Sequence, residues 1–501
     1  MRLRSIVVSV MCGSLVVAGT VLLVPSIASA SATLWVNGSH VVTSPGSPGS
    51  SCTNPGYNTI QAALNAASPG RTINICTGTY TEQLQITQAV TLNSIDGAVT
   101  VALPASPVDA TTSCDVAIDT ASGAQPDQDG VSICGDMNVT MDGITIDASW
   151  PNVCDDSLYG VLIGGGATLL FENGSVIAAG VPATDSDAGC QGGTGFQAGV
   201  SEGFATYTNN DTPVTVGHLD IDNSTISGYQ KNGMTADGNG SSATITNTTV
   251  TGAGFVINTA QNGIQISDGA SGDISRSTIS DNECSTVLVS SCGSEGYQAG
   301  GVLFYGSPPG SKITHSTVED NDYGLYYEGD ANDPAPTGHS FSASNDTFTN
   351  QNYASMLLDA GYSQLHRDSV NIATNYSPSA CNNQPAVTVP SSTPYTSVCG
   401  YQTTTGIVAY QYVGQPYGAT VVGTSQQISN QQTCVAISSD ATAGDPHVTV
   451  RVRLTLSTGN ANELANNALP GTYTYKVTSG GRSHRISSSA PADSSRLSPS
   501  R

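Results

Sequence analysis

The sequence predicts an all-β fold, a solenoid of stacked parallel strands, and a repeated pattern of residues is the main reason. The pattern is clearest over residues 262–282, where two short segments alternate apolar and polar residues on either side of a polar turn, residues 268–273. Alternation with a period of two predicts a strand with one buried face. The unit recurs with variable loops at a period of roughly 20–50 residues, which is typical of a solenoid.

Two columns of residues define the repeat: a glycine that opens the first strand and an apolar residue that closes the second. The predicted opening positions are Gly130, Gly160, Gly199, Gly233, Gly263, Gly301, Gly324 and Ser355. The predicted closing positions are Ile146, Val176, Ile226, Val250, Ile279, Val318, Phe348 and Val370. In six of the eight units the two positions are 15 to 17 residues apart, and the other two units carry loops.

The polar turns between consecutive strands do not suit tight hairpins. Each strand is therefore predicted to pair in parallel with its equivalent one coil away, which makes the fold a parallel β-helix. The predicted domain, with its N-terminal cap, covers residues 58–375. At a strand spacing of about 4.8 Å, residues 73–375 should form roughly ten to twelve coils.

The first 32 residues are predicted to be a secretory signal peptide. Arg2 and Arg4 form its basic end, residues 6–24 its apolar run, and residues 28–32 its small-residue cleavage region. An uncleaved membrane anchor is the alternative. Because no later segment is apolar enough to span a bilayer, the mature chain is expected to be secreted and extracellular. Residues 33–57, rich in Ser, Gly and Pro, are predicted to be irregular.

A short helix is predicted between this segment and the first coil. Ile60, Ala63, Leu64 and Ala67 share one helical face. Asn58 with Gln61 three residues later is a candidate capping box, and residues 68–70 should end the helix. A helix at this position would cover the open apolar end of the solenoid.

The N-terminal region also resembles a known superfamily. Residues 57–64, 69–73 and 78–82, which read YNTIQAAL, PGRTI and GTYTE, are similar to the N-terminal signature of pectate-lyase-like right-handed parallel β-helix proteins. The later coils resemble the repeats of secreted actinobacterial β-helix proteins, and the resemblance covers roughly residues 52–375. It implies a right-handed helix. It does not imply one activity, since the superfamily holds lyases, hydrolases, esterases, epimerases and non-enzymatic adhesins.

Individual enzyme motifs of that superfamily are mostly missing. The resemblance to polygalacturonases fails because residues 258–260 read NTA, with alanine where the motif has an acid, and residues 338–340 read GHS, without the second glycine. A lyase of this kind uses an arginine or lysine as base, and Lys231, Arg276 and Arg367 are the cations in the coils. None of them lies in a recognisable lyase motif, so the lyase alternative stays open but unsupported.

The net charge of the chain limits the classes of molecule that it can bind. The net charge is −24, and between residues 31 and 440 there are only five cations, Arg71, Lys231, Arg276, Lys312 and Arg367. Such a surface repels nucleic acid and anionic membranes, so neither is expected as a partner. An extracellular polysaccharide is the expected partner, and we expect a monomer.

The chain contains 12 cysteines, of which 11 follow the predicted signal peptide. This number indicates an oxidising compartment. Cysteines that are neighbours in sequence suggest the pairs Cys52/Cys76, Cys114/Cys134, Cys154/Cys190, Cys284/Cys292 and Cys381/Cys399. Cys434 is left over, and Cys399 and Cys381 are alternative partners for it. The pair Cys52–Cys76 is the disulfide that we predict.

One outer face of the coils is a candidate binding surface. Residues between the inward apolar positions point outward. The stacking predicts a shared face for Asp237, Gln265, Leu303, Tyr305, Tyr326, Glu328, Leu357 and Asp359, with Lys231 and Asp322 at its entry turn. Tyrosines beside carboxylates suit sugars, although tyrosine is also common on ordinary sheet exteriors.

The same outer face also carries a candidate pair of catalytic carboxylates. Glu328 and Asp359 are predicted to lie one coil apart, near the separation of the two carboxylates in a retaining glycosidase. We therefore predict a secreted protein that binds a polysaccharide, with cleavage left open as a polysaccharide lyase or glycoside hydrolase activity. A non-enzymatic structural or adhesive β-helix is the alternative.

A further column of mostly polar residues lies at a turn. Three residues before the closing position the chain carries Asn173, Asn223, Asn247, Arg276, His315, Asn345 and Arg367. Stacked asparagines predict a ladder of side-chain hydrogen bonds, which Arg276 and His315 would interrupt as an outward-turned basic pair.

A calcium site is a second hypothesis for the turns. Asp281 and Asp320 follow the closing positions of consecutive coils, and Asp322 comes shortly after. Two carboxylates one strand spacing apart repel each other unless a cation lies between them, and calcium suits such oxygen ligands. The alternative is that these residues only form turns.

After residue 375 the 16-residue spacing ends. Residues 376–478 are predicted to form a small antiparallel β-domain, from four alternating segments separated by turn residues. Residues 479–501, rich in Ser and Arg, are predicted to be disordered.

Overall fold

The computed structural model describes most of residues 33–376 and a series of strands after them. The described ranges are 33–122, 128–149, 158–180, 192–203, 212–256, 259–284, 299–305, 310–328, 340–349, 354–359, 369–376, 395–403, 406–411, 420–422, 432–438, 449–456, 471–479 and 482–490. The predicted signal peptide, residues 1–32, lies outside them.

These ranges hold two helices, α1 (Ile60–Ala66) and α2 (Ser113–Ser122), and 37 strands. The strands before α2 are β1 (Leu34–Val36), β2 (Gly49–Ser51), β3 (Asn54–Pro55), β4 (Arg71–Thr81), β5 (Leu84–Ile86) and β6 (Val90–Ala102). After α2 come β7 (Gln128–Cys134), β8 (Asn138–Asp142), β9 (Ile144–Ser149), β10 (Leu158–Gly164), β11 (Ala167–Glu172), β12 (Ser175–Gly180), β13 (Thr194–Ala198), β14 (Val200–Ser201), β15 (Pro213–Thr215), β16 (Gly217–Asp222), β17 (Thr225–Ser227), β18 (Asn232–Asp237), β19 (Ser242–Thr246) and β20 (Thr249–Val256). Next are β21 (Asn262–Ser267), β22 (Ser271–Ser275), β23 (Thr278–Cys284), β24 (Gly300–Tyr305), β25 (Ser311–Thr314), β26 (Thr317–Glu319), β27 (Tyr323–Glu328), β28 (Ser340–Thr349), β29 (Ala354–Asp359) and β30 (Ser369–Tyr376). The last are β31 (Tyr395–Thr403), β32 (Gly406–Gln411), β33 (Thr420–Val422), β34 (Gln432–Ser438), β35 (Thr449–Leu456), β36 (Gly471–Ser479) and β37 (Arg482–Ala490). Neither described helix is long and apolar enough to cross a membrane.

The strands stack in parallel, coil upon coil, as predicted. The large sheet of 21 strands contains two stacks of parallel strands. We call the stack of β8, β11, β16, β19, β22 and β25 the first sheet, and the stack of β9, β12, β17, β20, β23 and β26 the second sheet. The third sheet stacks ten strands in parallel: β5, β7, β10, β13, β18, β21, β24, β27, β29 and β34. One coil passes through the three sheets in turn, so the fold is the predicted right-handed parallel β-helix.

The closing column forms part of the core. Ile146, Val176, Ile226, Val250, Ile279, Val318 and Phe348 pair in register from coil to coil, and each is at most 1% exposed. Burying such a side chain contributes about 1.5–3 kcal/mol. The last predicted member, Val370, is wrong, because Val370 pairs with Phe341 and Tyr376 pairs with Phe348. Both strands of a coil alternate in the same way, so the pattern could not tell which strand held Val370.

The opening glycines stack so closely from coil to coil that a Cβ atom would not fit. A Cβ atom on Gly263 would lie 2.6 Å from the carbonyl oxygen of Gly301, and one on Gly301 would lie 2.8 Å from that of Gly324. The predicted member Gly199 is wrong. Gly195 holds that place, since its Cβ would collide with the carbonyl oxygen of Gly233, whereas Gly199 lies in a turn with φ of 70°. An apolar residue follows both glycines, so the local pattern fitted either.

Helix α1 covers the first coil, with Ile60, Ala63 and Leu64 buried. Its N-cap is Thr59, whose hydroxyl accepts a hydrogen bond from Ala62 N, and not the predicted Asn58. The Asn58 amide instead donates to the carbonyl oxygens of Asn37 and His40.

Glu82, the last residue of the signature motif, completes the cap. Its two carboxylate oxygens accept from Ile60 N and Gln61 N at 2.8 and 2.9 Å. A helix leaves its first N–H groups without partners inside the helix, and a carboxylate there also favours the helix dipole.

The predicted disulfide Cys52–Cys76 is present and ties the N-terminal segment to the end of the solenoid that α1 covers. Closing a loop of this size typically adds about 3 kcal/mol to the free energy of unfolding. Replacing both cysteines by serine should therefore lower the stability by about that amount in urea denaturation. Peptide mapping without reductant should recover the linked pair, and a free thiol at either position would contradict the assignment.

A second disulfide joins Cys114 in α2 to Cys134 in β7. Of the other suggested pairs, each includes a residue outside the described ranges. Cys399 and Cys434 oppose each other in the register of β31 and β34. The disulfide partner of Cys434 stays a prediction.

Near both ends of the chain the structure contains strands that were not predicted. Residues 34–36, predicted to be irregular, form β1, which pairs in parallel with β4. Three alternating residues among Ser, Gly and Pro are too short a signal to recognise. At the other end, β37 covers residues 482–490 of the predicted disordered tail and pairs with β36.

The region predicted as a small β-domain does contain antiparallel pairs, β31 with β32 and with β34. However, β34 and β35 also pair in parallel with β29 and β30. The first and third sheets therefore continue past residue 375, and the boundary at residue 376 stays a prediction.

The turn between the first and second sheets carries the predicted ladder in two separate segments, because Asn247 Nδ2 donates to Asp222 Oδ1 at 3.0 Å and not to Asn223. Asn223 Nδ2 donates to Asn173 Oδ1 at 2.8 Å, and Arg276 Nε donates to Asn247 Oδ1 at 3.1 Å. All four of these residues, and His315, have φ between 48° and 55°. Arg276 thus continues the ladder, which corrects its interpretation as half of a basic pair on a loosened turn. The side chains of Asn345 and Arg367 lie outside the described residues.

Candidate functional site

The outer face of the third sheet brings the predicted binding residues into two neighbouring columns. Strands β18, β21, β24, β27 and β29 align, in the first column, Thr235, Gln265, Leu303, Tyr326 and Leu357. The second column aligns Asp237, Ser267, Tyr305, Glu328 and Asp359. Because strand residues alternate between faces, the sequence spacing was enough to place both columns. The backbones of Glu328 and Asp359 lie one coil apart as predicted, and their side chains lie outside the described residues.

A network of five amide and hydroxyl side chains crosses the first column, and only Gln265 among them was predicted from the sequence. Asn232 Nδ2 donates to Thr235 Oγ1 at 2.9 Å and to Gln265 Oε1 at 3.1 Å. Asn262 Nδ2 donates to Asn232 Oδ1 at 3.2 Å, and Gln265 Nε2 donates to Ser267 Oγ at 3.2 Å. Both asparagines are buried. The repeated Asn-Gly pairs at residues 232–233 and 262–263 were a signal that could have revealed them.

Asp237 is buried, although the sequence placed it on an exposed face. Ser267 Oγ donates to its Oδ1 at 2.7 Å, and Ser201 N donates to its Oδ2 at 2.5 Å. Ser201 also reaches the carboxyl of Asp268 in the next coil, because its hydroxyl donates to Asp268 Oδ2 at 3.4 Å. Burial raises the pKa of the Asp237 carboxyl above its usual range, and these hydrogen bonds partly oppose the increase. Two aspartates therefore form a buried pair at the end of the face.

Helix α2 and strands β14 and β15 lie next to this pair, and we call them the cover. Strands β14 and β15 form an antiparallel hairpin. Ile118 of α2, Tyr159 and Leu162 of β10, and Val200 of β14 form a buried apolar cluster, against which Val214 packs. The Cys114–Cys134 bond attaches α2 to β7. The cover therefore hides the outer face near β10, while Gln265, Leu303 and Tyr305 beyond it are half-buried.

Lys231 lies at the entry edge of the face, directly before β18. Its ammonium donates to the carbonyl oxygen of Ala260 at 2.6 Å. Burial lowers the pKa of Lys231 to about 8. Asp322 lies at the same edge, directly before β27, and is buried. The predicted entry position of both residues agrees with the register of β18 and β27.

The comparison with known families supports the observed architecture. A family model described as a right handed beta helix region matches residues 129–334 and 203–376. The chain is a right-handed parallel β-helix protein. No curated protein sequence matches it significantly.

Solved structures similar to this β-helix protein carry different functions. Pectate lyase Pel9A shares 13% identity with a TM-score of 0.40, and the alignment covers 69% of this chain and 77% of that one. The surface adhesin PfbA of Streptococcus pneumoniae shares 11% identity with a TM-score of 0.34, covering 84% and 85% of the two chains. The A-module of the Azotobacter vinelandii mannuronan C-5 epimerase AlgE4 shares 14% identity with a TM-score of 0.31, covering 63% and 90%. Such similarity describes the fold alone.

The candidate calcium ligands of the β-helix protein are only partly brought together. Asp281 N donates to the carbonyl oxygen of Asp320 at 2.9 Å, so these residues stack one coil apart. Their φ values of 60° and 52° are those of turn residues. Asp322 lies at the entry edge of the third sheet. Within the described ranges, no group of three or more His, Cys, Asp or Glu side chains is placed to hold a metal, and the calcium site of Asp281, Asp320 and Asp322 stays a prediction.

Proposed function

We propose that the outer face of the third sheet binds an extracellular polysaccharide. The supporting observation is that Gln265 and Tyr305 are half-buried side chains on this face, and that the buried Asn232 and Asn262 hold Gln265 in place by hydrogen bonds to its Oε1. Amides and hydroxyls donate and accept at the same time, as sugar hydroxyls do. A tyrosine ring offers an apolar face for the C–H surface of a pyranose while its hydroxyl stays polar.

Charge and cysteine chemistry support the class of partner and the compartment. A chain with a net charge of −24 favours neutral sugars over polyanionic ones, and it disfavours nucleic acid and anionic membranes. Two disulfides in the described residues fit an oxidising, extracellular environment. We propose a secreted monomer.

Cleavage of the bound polysaccharide is a second candidate function, because β27 and β29 align Glu328 with Asp359. One strand spacing is about 4.8 Å, and the carboxyl groups of retaining glycosidases are about 5–5.5 Å apart. The alternative, a non-enzymatic adhesive or structural role, requires the binding face but no reaction.

Binding should depend on the half-buried side chains of this face. In pull-down and titration assays with plant, algal and microbial polysaccharides, with and without calcium, Gln265→Ala and Tyr305→Ala should each weaken binding about tenfold, since each loses about 1–1.5 kcal/mol of contacts. Thr244→Ala is the matched control, because Thr244 is exposed on the first sheet. Unchanged affinity in both face variants, or an equal loss in the control, would contradict the proposal.

The release of reducing ends separates the two candidate functions. If the protein cleaves its ligand, Glu328→Gln and Asp359→Asn should abolish product formation while binding persists. If the wild type binds without releasing product, the adhesive role is correct and the catalytic one is wrong.

A further inference from the structure

Two buried carboxyl groups face each other at the border between the cover and the open part of the third sheet. Asp237 is 0% exposed and Asp268 is 5% exposed. They lie in consecutive coils, because β18 and β21 pair with Asp237 opposite Ser267. Both carboxyl groups accept a hydrogen bond from Ser201, so they lie close together. Two buried carboxylates this close repel each other strongly, and one proton shared between them removes that repulsion.

The pair also holds the hairpin of the cover. Ser201 of β14 donates its backbone N–H to Asp237 Oδ2 at 2.5 Å and its hydroxyl to Asp268 Oδ2 at 3.4 Å. The residue before it, Val200, belongs to the apolar cluster with Ile118 and Leu162. One residue of the hairpin thus contacts both carboxyl groups, and its neighbour closes the cover over the sheet.

We propose that Asp237 and Asp268 form a proton-held clasp that fastens the β14–β15 hairpin over the third sheet. With one proton shared between them, the carboxyl groups bond to each other and to Ser201. When that proton is lost, two negative charges remain in a buried site, and the hairpin moves away so that water can reach them. The clasp closes at low pH and opens as the pH rises.

The direction of this pH dependence follows from the burial of the pair. A carboxyl whose pKa is raised in the closed form binds more protons there than in the open form. Closing is therefore favoured below the raised pKa of Asp237 and weakens as the pH rises through it. Among neighbouring groups, Glu202 is exposed beside Ser201, Ser267 bonds Asp237 from β21, and Tyr305 of β24 accepts from Asp268 N through its carbonyl.

Hydrogen exchange of the backbone amides at residues 200–203 tests the clasp in the full chain. After correction for the intrinsic pH dependence of exchange, the opening equilibrium should rise about tenfold per pH unit while one proton is lost. In Asp237→Asn and Asp268→Asn, an amide donates without needing a proton, so this dependence should disappear. Asp220→Asn, on the exposed outer face of the first sheet, should keep the wild-type dependence.

Several results would overturn the clasp. One is protection at residues 200–203 that does not change with pH in the wild type. Another is an unchanged slope in both asparagine variants, and a third is loss of the slope in Asp220→Asn. The two asparagine variants replace different partners of the pair, so one that fails to fold leaves the other as the test.

Discussion

Replacing Leu64 by aspartate should lower the free energy of unfolding by about 4 kcal/mol or more. Leu64 is 3% exposed and belongs to the core cluster at the end of the solenoid that α1 covers. Removing a buried leucine side chain typically costs about 2–5 kcal/mol, and a carboxylate placed there must be desolvated or protonated at further cost. Urea denaturation followed by circular dichroism measures the change.

The adjacent residue provides the control. Asn65 is exposed, so Asn65→Asp adds the same charge to the same helix without entering the core. Its effect should stay within about 0.5 kcal/mol, the size of an unfavourable charge near a helix C-terminus. Equal stability of Leu64→Asp and the wild type would show that α1 does not seal the first coil.

Replacing Gly301 by alanine should lower the free energy of unfolding by about 2–3 kcal/mol. The new Cβ would lie 2.8 Å from the carbonyl oxygen of Gly324 and 2.8 Å from Val318 Cγ1. Neither atom can move away without a cost in free energy, because one belongs to the backbone and the other is packed in the core. Overpacking of this kind typically costs about 1–3 kcal/mol, and thermal or urea unfolding measures it.

Gly300 offers a matched control one residue away. A Cβ on Gly300 would lie 3.6 Å from its nearest neighbour, the carbonyl oxygen of Tyr323, which is an ordinary contact. Gly300→Ala should therefore be close to neutral, or stabilise by up to about 1 kcal/mol through the loss of unfolded-state entropy. If both variants behave alike, the glycine column is not required by the spacing of the coils.

Local periodicity was enough to predict the solenoid. Ile264 and Ile279 sit two strands apart in a unit that repeats, and a one-residue slip would expose every inward side chain, so the register is strongly specified. The helical face of Ile60 and Leu64 was equally clear. Errors occurred where two neighbouring segments carried the same pattern, as with Gly199 and Gly195, since only the pairing of whole strands distinguishes them.

In the candidate site, too, one part was determined by the sequence and another only by the tertiary structure. The sequence by itself determined which side chains of β21 and β24 point outward, among them Gln265 and Tyr305, because alternation is a property of the strand. Only the tertiary structure decided that Asp237 is buried against Asp268, because the hairpin that brings Ser201 onto it comes from another coil. Burial, and with it the direction of the Asp237 pKa shift, depends on what packs over a residue, which no local pattern encodes.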